Sequence, residues 1–227
     1  MRVLVACEYS GAVRDAFAAL GHDAMSCDLL PSEKPGPHYV GDVRDVLGWG
    51  WDLMVAHPPC TYLSVSGMHW TVRGKRDPKL TDDALAFVRD LMAAPIQRKA
   101  IENPVSVIST RIRKPDQTIQ PYQFGHDASK TTCLWLDGLP KLAPTLMIEG
   151  RLVCCGHEVG GGDLFGRDDV YGCVNCGGEK REVRRWGNQT ASGQNRLSPG
   201  ADRWKDRSRT YPGIAAAMAA QWGGVVQ

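Results

Sequence analysis

Short apolar runs that each stop at a polar or reactive residue, separated by stretches of helical spacing, constrain this chain more than any other feature. Arg2–Cys7 runs into Glu8-Tyr9-Ser10-Gly11, Ala24–Cys27 ends in Asp28, and Tyr39-Val40 leads to Gly41-Asp42. Leu53–Ala56 ends at His57-Pro58-Pro59-Cys60, and Lys99–Ile101 runs into Glu102-Asn103-Pro104. Between them Val13, Ala16, Phe17 and Leu20, and later Ala84, Leu85, Val88, Leu91 and Met92, recur at the spacing of one helical face. Strands alternating with helices predict an α/β fold on a doubly wound, mostly parallel sheet. Such a sheet collects its reactive groups at the carboxyl ends of the strands, which border the ligand crevice. Ser10 is the expected N-cap of the first helix and Gly21 its stop. A further strand is expected at Thr132–Leu136, and Pro31–Pro37 and Thr71–Thr81 read as loops.

A chain of 227 residues, 43% hydrophobic, can bury one catalytic core and carry a small insertion. No run approaches the roughly 18 apolar residues of a membrane span, and the first residues enter a strand pattern at once, so no membrane partner and a cytoplasmic location are expected. Eight cysteines are then catalytic, buried or metal-bound rather than disulfide-bonded. The formal net charge is only +2, yet Glu179–Arg209 holds nine Lys/Arg against four Asp/Glu. That local excess fits a phosphate-facing surface, with a solvated basic stretch as the alternative.

Cys60 follows two prolines, which fix their own φ and restrict the residue before each, so its loop should be stiff. A held thiol suits nucleophilic attack through the thiolate. Glu8, Asp28 and Asp42 follow the first three strands in turn. A carboxylate after the second strand can accept both ribose hydroxyls, and one after the third can accept from an adenine amino group. The first loop has one glycine, Gly11, where phosphate-cradling loops have three, so the pattern suits an adenosyl cofactor without a diphosphate, such as S-adenosylmethionine. Loop acids that merely cap helices are the competing reading.

With these residues in place the chain resembles the cytosine-C5 DNA methyltransferase family. The family's P-C-x-x-F-S loop stands here as Pro59-Cys60-Thr61-Tyr62-Leu63-Ser64, and its E-N-V as Glu102-Asn103-Pro104, 42 residues after the cysteine. The resemblance implies a Rossmann-like S-adenosylmethionine-dependent methyltransferase fold. It also implies that Cys60 adds to cytosine C6, that Glu102 holds the ring's N3 and amine from a dry pocket that raises its pKa, and that Asn103 fixes the loop. The duplex base would have to flip out. Glu8, Tyr9, Ser10, Gly11, Asp28, Leu29, Asp42, Val43, Pro58 and Tyr211 are the expected cofactor contacts. Two departures stand out: Glu8-Tyr9-Ser10-Gly11 replaces the family's F-x-G-x-G, and no arginine stands where its Q-x-R-x-R strand should fall, near Ser129–Cys133. Lys130 is the substitute cation there, as a point donor rather than a guanidinium fork.

Cys154-Cys155-Gly156-His157 and, fifteen residues on, Cys173-Val174-Asn175-Cys176 have the spacing of a zinc knuckle. Cys154, His157, Cys173 and Cys176 are the expected zinc ligands, with Cys155 as the spare. The resulting division is a catalytic core at 1–146, a small zinc-ribbon-like insertion for target recognition at 147–185, and a basic segment with a C-terminal helix completing the core at 186–227. Arg184, Arg185, Arg203 and Arg207, with Lys130, are the expected DNA contacts, and no obligatory protein partner is evident. Small size and compact motifs resemble the orphan enzymes of phages, which would place the protein in the host cytoplasm. Two other classes stay open: a catalytically silent zinc-containing nucleic-acid-binding protein, and a pyrimidine C5-modifying enzyme that acts on RNA or nucleotide or transfers a group other than methyl.

Overall fold

A computed structural model of the chain describes residues 1–154, 157–158, 183–197, 200 and 203–224. The chain divides into two compact units. One comprises Met1–Ile119, Lys130–Ala143 and Arg209–Gln227, and the other Gln120–Ser129 and Pro144–Ser208. The second unit therefore takes residues 120–129 as well as its main stretch, and it runs on to 208 where the sequence division placed a boundary at 185.

The first unit is built on strands β1 (Arg2–Ala6), β2 (Asp23–Asp28), β3 (His38–Val40), β4 (Leu53–Ala56), β5 (Arg98–Pro104), β6 (Gln117–Ile119) and β7 (Thr132–Asp137). Their order in the sheet is β3-β2-β1-β4-β5-β7-β6. β1 to β5 pair in parallel, and β7 runs antiparallel between β5 and β6. This is the mostly parallel, doubly wound, Rossmann-like sheet that the apolar runs predict. The order reverses between β1 and β4, and that reversal opens a crevice at their carboxyl ends. Every residue of β4 is buried, as are the last four of β1, because a central parallel strand is covered on both faces.

Helices α1 (Ala12–Ala19), α2 (Val65–Val72), α3 (Lys79–Ala93), α4 (Ile108–Arg111) and α6 (Pro212–Gly223) belong to the same unit. α6 starts on Pro212, whose missing N–H is harmless in the first turn, and packs along α1. Trp222, fully buried, donates from Nε1 to the Pro140 carbonyl at 2.9 Å. The N-cap of α1 is Gly11 rather than Ser10, in the left-handed region at φ 70°. A side chain from outside the helix does the capping: Glu8 accepts the Val13 N–H at 2.7 Å and the Arg14 N–H at 3.2 Å.

The second unit contains β8 (Arg151–Cys154), β9 (His157–Glu158) and β10 (Val183–Arg185), an antiparallel sheet in the order β10-β8-β9, and helix α5 (Arg203–Ser208). Tyr122 and Trp186 stack with centroids 4.2 Å apart, and Asn188 exchanges two hydrogen bonds with the Ser129 backbone. Among the described residues no helix is long and apolar enough to cross a membrane.

Candidate active site

Cys60 is exposed and stands just beyond the carboxyl end of β4. Its loop is stitched to the segment that leaves β5. The buried Asn103 donates from Nδ2 to the Pro58 carbonyl at 2.8 Å, Val107 N–H to the Leu63 carbonyl at 2.9 Å, and Val65 N–H to the Val105 carbonyl at 3.2 Å. Backbone N–H groups of Leu63 and Ser64 return to the Cys60 carbonyl at 3.1 and 2.9 Å, closing a turn over buried Leu63. The thiol thus sits on a loop held from both sides, beside the strand that carries Glu102.

Glu102 Oε2 lies 3.2 Å from His57 Nδ1, with the two side chains 16% and 9% exposed. The register makes this contact: Ala56 pairs with Ile101 in parallel, so His57 and Glu102 form the next rung. Burial alone would lift the Glu102 carboxyl. The hydrogen bond and charge of His57, the charge of Lys130 and a hydrogen bond from Thr132 outweigh it and hold the group below its ordinary value. The raised carboxyl expected from a dry pocket is therefore corrected, since the pocket brings its own cations. Lys130 acts on Glu102 through this charge, and its Nζ lies 3.4 Å from the Arg209 carbonyl. His57 and Thr132 are site residues that the motif reading passes over. Aligning β4 with β5 would have found the first.

At the ends of β1 to β3 the carboxylates are divided between tasks. Glu8, 5% exposed, is committed to the N-terminus of α1 and also accepts from the Ser10 hydroxyl at 3.2 Å. Asp42 caps the short 3-10 turn Val43–Asp45 and is gripped by the Arg44 guanidinium at 3.0 Å, contacts that hold its carboxyl low. Asp28 keeps more capacity. One oxygen accepts the Leu30 N–H at 3.0 Å, and burial lifts its carboxyl above the ordinary range despite that bond and the charge of His38. Burial, with the nearby Asp28 and Asp42, pushes the Cys27 thiol up to about 12, and the same causes with Cys27 raise Cys7 further. Cys7, at φ 58°, is the only non-glycine residue in the left-handed region among the described residues. Of the remaining expected contacts, Tyr9 and Val43 are buried, Leu29 is exposed, and Tyr211 is half-buried at the start of α6, where burial raises its phenol. Among the described residues Asp28 is the strand-end carboxylate with oxygen capacity left to accept from hydroxyls, which fits a ribose-bearing group.

The four arginines expected at nucleic acid all lie in the second unit, whereas Lys130 lies in the first. Arg184 is exposed and pairs with Glu149 at 3.2 Å. Arg185 donates to the Ala191 carbonyl at 3.2 Å and is walled by Gly193. Arg203 and Arg207 are on α5. Cys173 and Cys176 lie outside the described residues, as do the side chains of Cys154 and His157, although the backbone pairs Cys154 with His157 across β8 and β9. Among the described residues no three His, Cys, Asp or Glu side chains gather as a metal site.

No family model matches the chain, and no curated protein sequence does. Among solved structures it is similar to a candidate DNA modification methyltransferase encoded within an E. coli prophage, at 13% identity and a TM-score of 0.44 over 65% of this chain and 52% of that one. It is also similar to the Entamoeba histolytica methyltransferase EhMeth, at 15% identity and a TM-score of 0.45 over 66% of this chain and 58% of the other. The chain thus spans little more than half the length of either structure.

Proposed function

We propose that the chain is an S-adenosylmethionine-dependent DNA (cytosine-5)-methyltransferase. The observation that carries this reading is the stitched pair of loops at the carboxyl ends of β4 and β5, which presents the exposed Cys60 beside Glu102 and Asn103. Cytosine C5 is a weak nucleophile; bonding a thiolate to C6 turns the ring into an enamine and splits one hard step into easier ones. Glu102 then serves the ring's N3 and amine, and Asn103 keeps the sulfur's loop in place. Asp28 would help hold S-adenosylmethionine, which would supply an electrophilic methyl group on a sulfonium. Since C6 is out of reach inside a stacked duplex, the base must be extruded.

Zinc belongs to the same reading through the Cys154, His157, Cys173 and Cys176 spacing, in a glycine-rich stretch with little apolar matter to hold it. About one equivalent of zinc in the purified protein is expected, and less than half removes the metal from the reading. The decisive experiment offers duplex DNA containing 5-fluorocytosine with the methyl donor. The fluorine cannot leave as a cation, so the Cys60 adduct persists and appears as a mass increase equal to the DNA plus one methyl group. Cys60→Ser should give no adduct while binding the methyl donor as before. An adduct in that variant, or none with the unsubstituted protein on any DNA, rejects the mechanism.

A further inference from the structure

Three buried side-chain atoms beside the Cys60 loop have no hydrogen-bond partner among the described residues, His57 Nε2, Asn103 Oδ1 and Ser106 Oγ. Buried polar atoms are nearly always paired, so orphans next to a reactive group call for a partner from solvent or ligand. Asn103 has its other group on the Pro58 carbonyl, and His57 has its other nitrogen 3.2 Å from Glu102. That contact gives a proton a direct path between the imidazole and the carboxylate. The groups facing Glu102 are His57 after β4, and Lys130, Thr132 and Cys133 at β7. Lys130 acts by charge and Thr132 by a hydroxyl, whereas an imidazole is built to exchange a proton near neutral pH.

We infer that His57 stores the proton that Glu102 delivers to the pyrimidine ring, so that the working acid is a His57–Glu102 pair and not a lone carboxyl group. The inference rests on the pyrimidine-addition reading above and adds a positioning residue to it. Before the base enters, the proton is on His57 and Glu102 is ionised. Cys60 Sγ gives an electron pair to C6, the C5=C6 pair moves to C4–C5, and the C4=N3 pair moves to N3. N3 takes a proton from Glu102 as Glu102 takes one from His57, so the pair as a whole gives up one proton and Glu102 ends ionised. As C5 bonds the methyl carbon of the donor, the donor's sulfur keeps the departing pair, C4=N3 re-forms, and N3 returns its proton to the pair. Loss of the C5 proton to water then re-forms C5=C6 and returns the Cys60 electron pair to sulfur.

The test is the pH profile of adduct trapping on 5-fluorocytosine duplex, from pH 5 to 9, for the unsubstituted protein, His57→Asn and His57→Gln. Both replacements can donate to Glu102 but store no proton, and methyl-donor binding identifies which of them is folded. The alkaline limb should move to lower pH by about one unit or more, leaving trapping about tenfold weaker at pH 8, while trapping at pH 5.5 stays within about threefold. An unmoved limb in a folded variant, or an equal loss at every pH, overturns the inference and leaves the function standing. No adduct with the unsubstituted protein at any pH overturns the function itself.

Discussion

Asp28 and Arg14 are both withdrawn from water, with opposite consequences for the fold. Asp28 carries a carboxyl lifted by burial, so the native state binds its proton more readily than the unfolded chain does. Its penalty is absent below about pH 4, where both states are protonated, and is fully present above the folded value. Asp28→Asn keeps an oxygen for the Leu30 N–H, so it should raise the Tm by about 2 °C at pH 7 and by nothing measurable near pH 4. The same change should weaken methyl-donor binding about tenfold by calorimetry, because a neutral amide is a poorer partner for ribose hydroxyls. Stability given up at an acid proposed to meet a ligand is what a functional position displays. Arg14 is different. It is 1% exposed and donates to Asp15, Ser26, Ser32 and the carbonyls of Lys34 and Pro35, closing the loop between β2 and β3. Arg14→Met strands those acceptors and should cost about 3 kcal/mol in urea unfolding. A loss under about 1 kcal/mol would show that water replaces the guanidinium.

At the scale of elements, α2 shows what local sequence could and could not reveal. None of its residues is buried, so packing does not announce it, and the loop expected from Thr71 begins inside it. The helix is set by Ser64, whose hydroxyl accepts the Gly67 N–H at 3.2 Å, and by the near approach of its first turn to the Cys60 loop. A Cβ on Gly67 would lie 2.5 Å from the Thr61 carbonyl, closer than real side chains come to backbone. Gly67→Ala should therefore push α2 off the loop and slow adduct formation about tenfold, while the Tm changes by less than about 2 °C because nothing in the core moves. An unchanged trapping rate would mean the loop keeps its geometry without the helix. By contrast β1, β2, β3, β4 and β7 fall within a residue or two of the expected runs, and β1 and β4 do so because buried parallel strands leave continuous apolar stretches. β6 has three residues and no such run, and the cap of α1 comes from Glu8, whose role depends on a turn and not on a motif. Cys60, Glu102 and Asn103 were legible as motifs. His57 was not, because its partner is fixed by strand pairing.

For the whole molecule, the order of segments decides what can be removed. The first unit is completed only when the chain returns at Arg209, and α6 then supplies Trp222 and the surface that packs on α1. The ends left by cutting out 144–208 are both in that unit. Ala143 exchanges two hydrogen bonds with Gln221 near the far end of α6, at 2.8 and 2.9 Å, while Arg209 precedes the helix by three residues. The gap is therefore about the length of the 12-residue helix, roughly 18 Å. A Gly/Ser linker of about ten residues has a root-mean-square span near 17 Å and bridges it without strain. The protein lacking 144–208 should unfold cooperatively and bind the methyl donor within about threefold of the full chain. It should also lose at least tenfold in affinity for duplex DNA at 0.1 M salt, because Arg184, Arg185, Arg203 and Arg207 go with the excised segment. Filter binding across a salt series reads this directly, as a shallower dependence of log affinity on log salt. Unchanged DNA affinity and slope in a folded, donor-binding protein would move the phosphate contacts to the first unit, and Lys130 would then be the first residue to replace.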